Sequence, residues 1–126
     1  MAATVLIVDD SDFDLMPLEA ILTSVCAVTV AQATSGQEAI DKFKADRGAT
    51  SSIKLIFMDV NMPGIDGLQA TQQILALAAQ NKAKPVKVVG VTSFESDDAL
   101  QKCFDSGMVN VVSKPIDVDR LTDVFE

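Results

Sequence analysis

The chain has no histidine, tryptophan or tyrosine, and only two cysteines among its 126 residues. Without histidine there can be no imidazole base, no imidazole metal ligand and no phosphohistidine within it. Cys26 and Cys103 stand far apart with no C-x-x-C spacing. They read as reduced, buried core thiols of a cytoplasmic protein rather than a disulfide or redox pair. Basic residues are scarce: ten Lys and Arg against eighteen Asp and Glu leave a net charge of −8. That balance argues against direct binding of nucleic acid, which needs a basic face. No apolar run approaches the roughly 18 residues of a membrane span, and the stretch before Asp9 is too short for a signal peptide, so membrane insertion is not expected. Neither G-x-G-x-x-G nor G-x-x-x-x-G-K-[ST] occurs, which removes dinucleotide and P-loop sites. Asp10-x-Asp12-x-Asp14 opens like a calcium loop. It fails at Leu15, where glycine is required, and at Ile21, where the final glutamate belongs.

What is present is apolar content, 48% of the chain, arranged in short runs. No Pro/Gly/Ser-rich linker and no repeat divides residues 1–126, so one domain is expected. Strand and helix patterns alternate. Thr4–Val8 reads as a buried strand, followed by a helix with Phe13, Met16, Ile21, Leu22 and Val25 on its apolar side. Pro17 fits that helix if it begins near Asp14, because first-turn N–H groups have no intrahelical partner. Asp12 and Asp14 then read as acids favoured at a helix N-terminus. Val28–Ala31 is a second strand. Ser35-Gly36-Gln37-Glu38 has capping-box form and opens a helix with Ala39, Ile40 and Phe43 inward. Ile53–Met58 is a continuous apolar run, as in a strand covered on both faces. Asp66 can cap a helix carrying Leu68, Thr71, Ile74, Leu75 and Ala78. Val86–Val91 is a fourth strand. Asp98–Ser106 is a short helix stopped by Gly107. Val109–Val112 is a fifth strand, and Asp117 can cap a last helix with Val118, Leu121 and Phe125. Five β/α units in this order imply a three-layer α/β sandwich around a parallel sheet.

Charged residues fall at the strand ends. Asp9 and Asp10 follow TVLIV, Asp59 follows IKLIFM, and Lys114-Pro115 follows NVVS. In an open parallel sheet such ends lie side by side, on the rim where ligands bind. Two unit charges about 4 Å apart repel by roughly 4 kcal/mol at an effective dielectric near 20. Three ionised carboxylates therefore call for a counter-charge. Lys114 offers one positive charge, and a divalent cation offers two more. Hard oxygen ligands suit Mg²⁺ or Mn²⁺ better than zinc. The pattern points to a metal-assisted phosphate site.

These residues carry a family resemblance that covers essentially the whole chain. IVDDS, MDVNMPGIDG, VTS and SKP, each after its strand, resemble the receiver domains of two-component response regulators. The resemblance implies a flavodoxin-like, doubly wound five-stranded sheet of order 2-1-3-4-5 flanked by five helices. It implies that Asp59 is the phosphoacceptor, modified by a phosphohistidine of a histidine kinase or histidine phosphotransfer protein. Asp10 would be a direct ligand of Mg²⁺ (Mn²⁺ being the alternative), Asp9 an outer one acting through water, and Asn61 a ligand through its backbone carbonyl. Lys114 would pair with a phosphoryl oxygen, Thr92 would offer its hydroxyl to the same group, and Ser93 would leave room for it. In this family the Lys-Pro bond, here Lys114-Pro115, is cis. QKCFDSGMVNVVSKPI further resembles receivers fused to hybrid histidine kinases, which hand phosphate onward.

The chain departs from the family's pattern at Val111, where many receivers carry an aromatic residue whose ring moves on phosphorylation. Output here is then expected to depend on Thr92 and its loop, or the receiver relays phosphate rather than driving a downstream effector. Two other classes stand beside the receiver. A magnesium-dependent aspartate-nucleophile phosphatase would need an acid/base carboxylate two residues after Asp59, where Asn61 stands. A receiver-like scaffold that is never phosphorylated would not need the set Asp9, Asp10, Asp59, Thr92 and Lys114. The receiver is accordingly expected to be a regulatory phosphoacceptor and not an enzyme with a separate substrate.

Overall fold

The computed structural model describes residues 4–25, 29–49, 53–60, 67–80, 86–92 and 97–113. Nine elements alternate along them: β1 (Thr4–Val8), α1 (Asp12–Val25), β2 (Thr29–Ala33), α2 (Gly36–Ala49), β3 (Ile53–Asp59), α3 (Gly67–Gln80), β4 (Lys87–Thr92), α4 (Asp97–Asp105) and β5 (Asn110–Ser113). The strands form one parallel sheet in the order β2-β1-β3-β4-β5. This is the doubly wound order expected. Four of the five expected helices are described; the last, with Asp117, Val118, Leu121 and Phe125, lies outside the described residues, as do Cys26 and Asp66.

Alternation along each central strand divides the core between the two faces of the sheet. Leu6 and Val8 of β1, Ile56 and Met58 of β3, and Val88 of β4 pack with Ile40 and Phe43 of α2, Ile74 of α3 and Cys103 of α4. Val5, Ile7, Phe57, Val89 and Val91 point the other way and pack with Leu15, Leu18 and Leu22 of α1. Both faces are therefore covered, which explains the near-continuous apolar runs of β1 and β3. Cys103 is a free thiol buried on α4, and burial pushes its pKa up. It is the reduced core residue that was expected.

The helix ends follow the local chemistry. Ser35 Oγ accepts the N–H of Glu38 at 3.1 Å, as a capping box requires. The returning bond differs from the standard box: the Glu38 carboxylate accepts the N–H of Thr34 at 2.6 Å, one residue before the cap. At the end of α4, Gly107 takes φ +109°, its N–H donates to Phe104 at 3.0 Å, and Met108 N–H donates to Cys103 at 3.3 Å. That bond pair is a Schellman motif, and it confirms Gly107 as the stop.

Helix α1 corrects two expectations. Its apolar side is Leu15, Leu18, Ile21 and Leu22, whereas Met16 is 68% exposed. Ile21 and Leu22 pack inward as expected, but Leu15 and Leu18 take the place read for Met16, because positions 15, 18 and 22 keep helical spacing and position 16 does not. The helix also starts at Asp12, two residues before the start inferred from Pro17. Pro17 therefore lies inside the helix, beyond the first turn, and is exposed. Lacking an N–H, it leaves one carbonyl of the preceding turn without its usual intrahelical donor.

Candidate functional site

The register of the sheet assembles the rim. Val8 of β1 is level with Met58 of β3, so Asp9, just past the end of β1, and Asp59, the last residue of β3, emerge side by side. One carboxylate oxygen from each of Asp9, Asp10 and Asp59 lies within 4.8 Å of the others. Asp9 and Asp59 are buried, at 6% and 3% exposure, and Asp10 is exposed. Asp59 is level with Val91 of β4, which brings Thr92, 2% exposed, to the same end of the sheet. Thr92 in turn is level with Ser113 of β5. The expected site residues Asn61 and Lys114 lie outside the described residues, together with Ser93 and Pro115.

The backbone around the carboxylates is tied down on both sides. Asp9 N–H donates to the Ala33 carbonyl at 3.1 Å, which anchors it to β2. Its own Oδ1 accepts the N–H of Ser11 at 3.0 Å, an Asx turn that leads into α1. Val60, directly after Asp59, donates its N–H to Val91 at 3.0 Å and accepts the N–H of Gly67 at 3.3 Å. Gly67 is in tight contact with the end of β3. A Cβ built on it would fall well inside contact distance of the Asp59 carbonyl oxygen and 2.9 Å from both the Asp59 carbonyl carbon and Val60 Cα. The sequence does not announce this approach. Nothing local marks it, because the contact is made between the first residue of α3 and the last of β3.

The donor set fits a small, hard divalent cation. It contains carboxylate oxygens and no thiolate or imidazole, and two of the three carboxylates are buried where water cannot fully screen them. Two ionised carboxylates at the spacing of Asp9 and Asp59 repel by about 3–4 kcal/mol at an effective dielectric near 20. A divalent ion converts that repulsion into attraction.

The chain belongs to the response regulator receiver domain family, whose sequence profile matches residues 5–126. It is a receiver of two-component signalling, the class of regulatory phosphoacceptors. Over 121 residues it is 31% identical to the osmosensing histidine protein kinase SLN1 of Saccharomyces cerevisiae, covering 96% of this chain and 10% of the kinase. It is 32% identical to the chemotaxis protein CheY of Bacillus subtilis, covering 99% of this chain and 96% of that protein. The chain therefore spans about a tenth of the yeast kinase's length and nearly all of the chemotaxis protein's. Among solved structures it matches the complex of the Saccharomyces cerevisiae histidine phosphotransfer protein Ypd1 with the receiver domain of the response regulator Ssk1. That match has a TM-score of 0.86 and 28% identity, covering 98% of this chain and 86% of that one. No helix among the described residues is long and apolar enough to cross a membrane.

Proposed function

We propose that Asp59 accepts a phosphoryl group from a phosphohistidine on a histidine kinase or a histidine phosphotransfer protein. The observation that carries this reading is the convergence of Asp9, Asp10 and Asp59 within 4.8 Å at the end of the sheet. The receiver of the Ypd1–Ssk1 complex engages a phosphotransfer protein, which supports the same class of partner here. A downstream effector that reads the phosphorylated form is a second partner class. Residues 1–126 act as a single receiver unit in the cytoplasm, with no direct contact to nucleic acid.

In the reaction, an oxygen of the Asp59 carboxylate attacks phosphorus in line with the P–N bond. The new O–P bond forms as the P–N bond breaks, and its electron pair returns to the departing imidazole. The product is an acyl phosphate on Asp59. Asp9, Asp10 and Asp59 would hold Mg²⁺, or Mn²⁺ in its place, with the Asn61 carbonyl completing the set. Bound there, the cation neutralises charge on the phosphoryl oxygens. Burial of Asp9 and Asp59 strengthens these interactions by limiting water. Lys114 pairs its ammonium with a phosphoryl oxygen, and the Thr92 hydroxyl donates to another. Hydrolysis of the acyl phosphate returns Asp59 to its starting state, so the protein's chemistry is limited to its own modification.

The test is intact-protein mass after incubation with acetyl phosphate, with Mg²⁺ or with chelator, for the wild type and Asp59→Asn. A labile gain of about 80 Da, one phosphoryl group, that requires both Mg²⁺ and Asp59 is expected. A gain that survives Asp59→Asn would assign the acceptor elsewhere. If acetyl phosphate gives no gain, transfer from a phosphorylated phosphotransfer protein decides.

A further inference from the structure

We infer that Gly67 and Thr71 are positioning residues that set the Asp59 carboxylate against Asp9 and Asp10, by docking the first turn of α3 onto the acceptor's own backbone. The inference rests on the reading of Asp59, Asp9 and Asp10 as the cation and phosphoryl site.

The observations form one continuous path. Val91 of β4 holds the N–H of Val60 at 3.0 Å, and the Val60 carbonyl holds the N–H of Gly67 at 3.3 Å. The Gly67 carbonyl accepts the hydroxyl of Thr71 at 2.7 Å. Thr71 is fully buried, so the hydroxyl it commits to that carbonyl has no water to fall back on. Gly67 itself is buried, and its α-carbon faces the Asp59 carbonyl with no room for a methyl group. What a methyl would meet there is backbone, which cannot swing aside as the end of a long side chain does. The start of α3 and the end of β3 would have to separate. Asp59 would move with its backbone, while Asp9 stays anchored through Ala33 and Ser11. A functional constellation tolerates errors of only about 0.5 Å, and a misplacement near 1 Å can cost about 100-fold in rate.

The experiment is isothermal titration calorimetry of Mg²⁺ into wild type, Gly67→Ala and Thr71→Val. It is paired with the rate of acetyl phosphate modification per folded molecule across a Mg²⁺ series. Folded fraction is set by far-ultraviolet circular dichroism. For Gly67→Ala the expected result is Mg²⁺ affinity weakened at least threefold and a rate at saturating Mg²⁺ reduced about 10- to 100-fold. Thr71→Val keeps the volume and removes the hydroxyl, and should weaken Mg²⁺ binding in the same direction by a smaller factor. A defect of folding alone would lower the amount of binding-competent protein and leave the affinity of each competent molecule unchanged. That result, or wild-type affinity and rate in Gly67→Ala, overturns the inference. If Gly67→Ala does not fold, Thr71→Val decides, and unchanged Mg²⁺ affinity there overturns it. The two readings fail separately: a wild type that binds Mg²⁺ yet is never modified by any donor sinks the phosphoacceptor reading, while the affinity comparison still judges Gly67 and Thr71.

Discussion

Asp59 and Val91 are level partners across β3 and β4, and Thr92 is therefore the first residue of β4 beyond the level of Asp59. It is buried at the same end of the sheet as Asp59, and on the proposed reading its hydroxyl answers the new phosphoryl group. Thr92→Val should leave phosphorylation of Asp59 within about tenfold of wild type, since an activated donor needs no proton from Thr92. The response to phosphorylation should be lost. Amide hydrogen exchange of β4 and α4, compared with and without phosphoryl transfer, checks this: protection changes in the wild type and not in the variant are expected.

The carboxylate cluster should destabilise the protein in the absence of a divalent ion. Asp9→Asn keeps an oxygen for the Ser11 N–H while removing one charge. In chelator, the variant should melt higher than wild type by roughly 3–10 °C, corresponding to about 1–2 kcal/mol. Added Mg²⁺ should reverse the ranking, because a ligand that binds only the folded state at 100 times its Kd contributes about 2.7 kcal/mol. Thermal melts by circular dichroism measure both, and suit a chain without Trp or Tyr.

Gly107→Ala should be costly for a reason unconnected with the site. The residue sits at φ +109°, and a Cβ there would collide with Cδ1 of Leu75 on α3. A loss of about 1–3 kcal/mol is expected in urea unfolding, with Mg²⁺ affinity unchanged. Weakened Mg²⁺ binding would show that the end of α4 communicates with the rim.

Cys103 supplies a pH dependence whose sign follows from burial. Its folded pKa is raised by desolvation, so the fold favours the protonated thiol. That contribution is fully present below the ordinary thiol pKa and is lost as pH rises through the raised folded value. Alkaline unfolding should therefore begin later in Cys103→Ala than its lower starting stability implies. Alkylation of Cys103 by iodoacetamide in the native protein should be slower than that of a free thiol peptide across the same pH range. Equal rates would place the thiol in contact with solvent.

The alternation of strands and helices was legible because each buried strand is a compact β-branched run and each helix has a marked end. The three carboxylates were legible for a related reason: an acid directly after a doubly covered strand has one place to go, the rim. Where the reading slipped, the competing signals were local and weak. Met16 was taken for a core residue because it lies three residues after Phe13, which is helical spacing, although it does not share a face with Leu22. Leu15 and Leu18 already carried the correct stripe. The Glu38 bond to Thr34 depends on where the chain enters α2, which no four-residue motif encodes. The approach of Gly67 to Asp59 depends on how α3 docks against β3, a property of the assembled sheet.

The strand that ends in Asp59, the proposed acceptor, lies at the centre of the sheet, hydrogen-bonded to β1 on one side and β4 on the other. It is the anvil of the molecule. A doubly charged group fastened to its last residue cannot push β3 aside without breaking two ladders and parting both core halves. A messenger that must be struck repeatedly without deforming is best struck there.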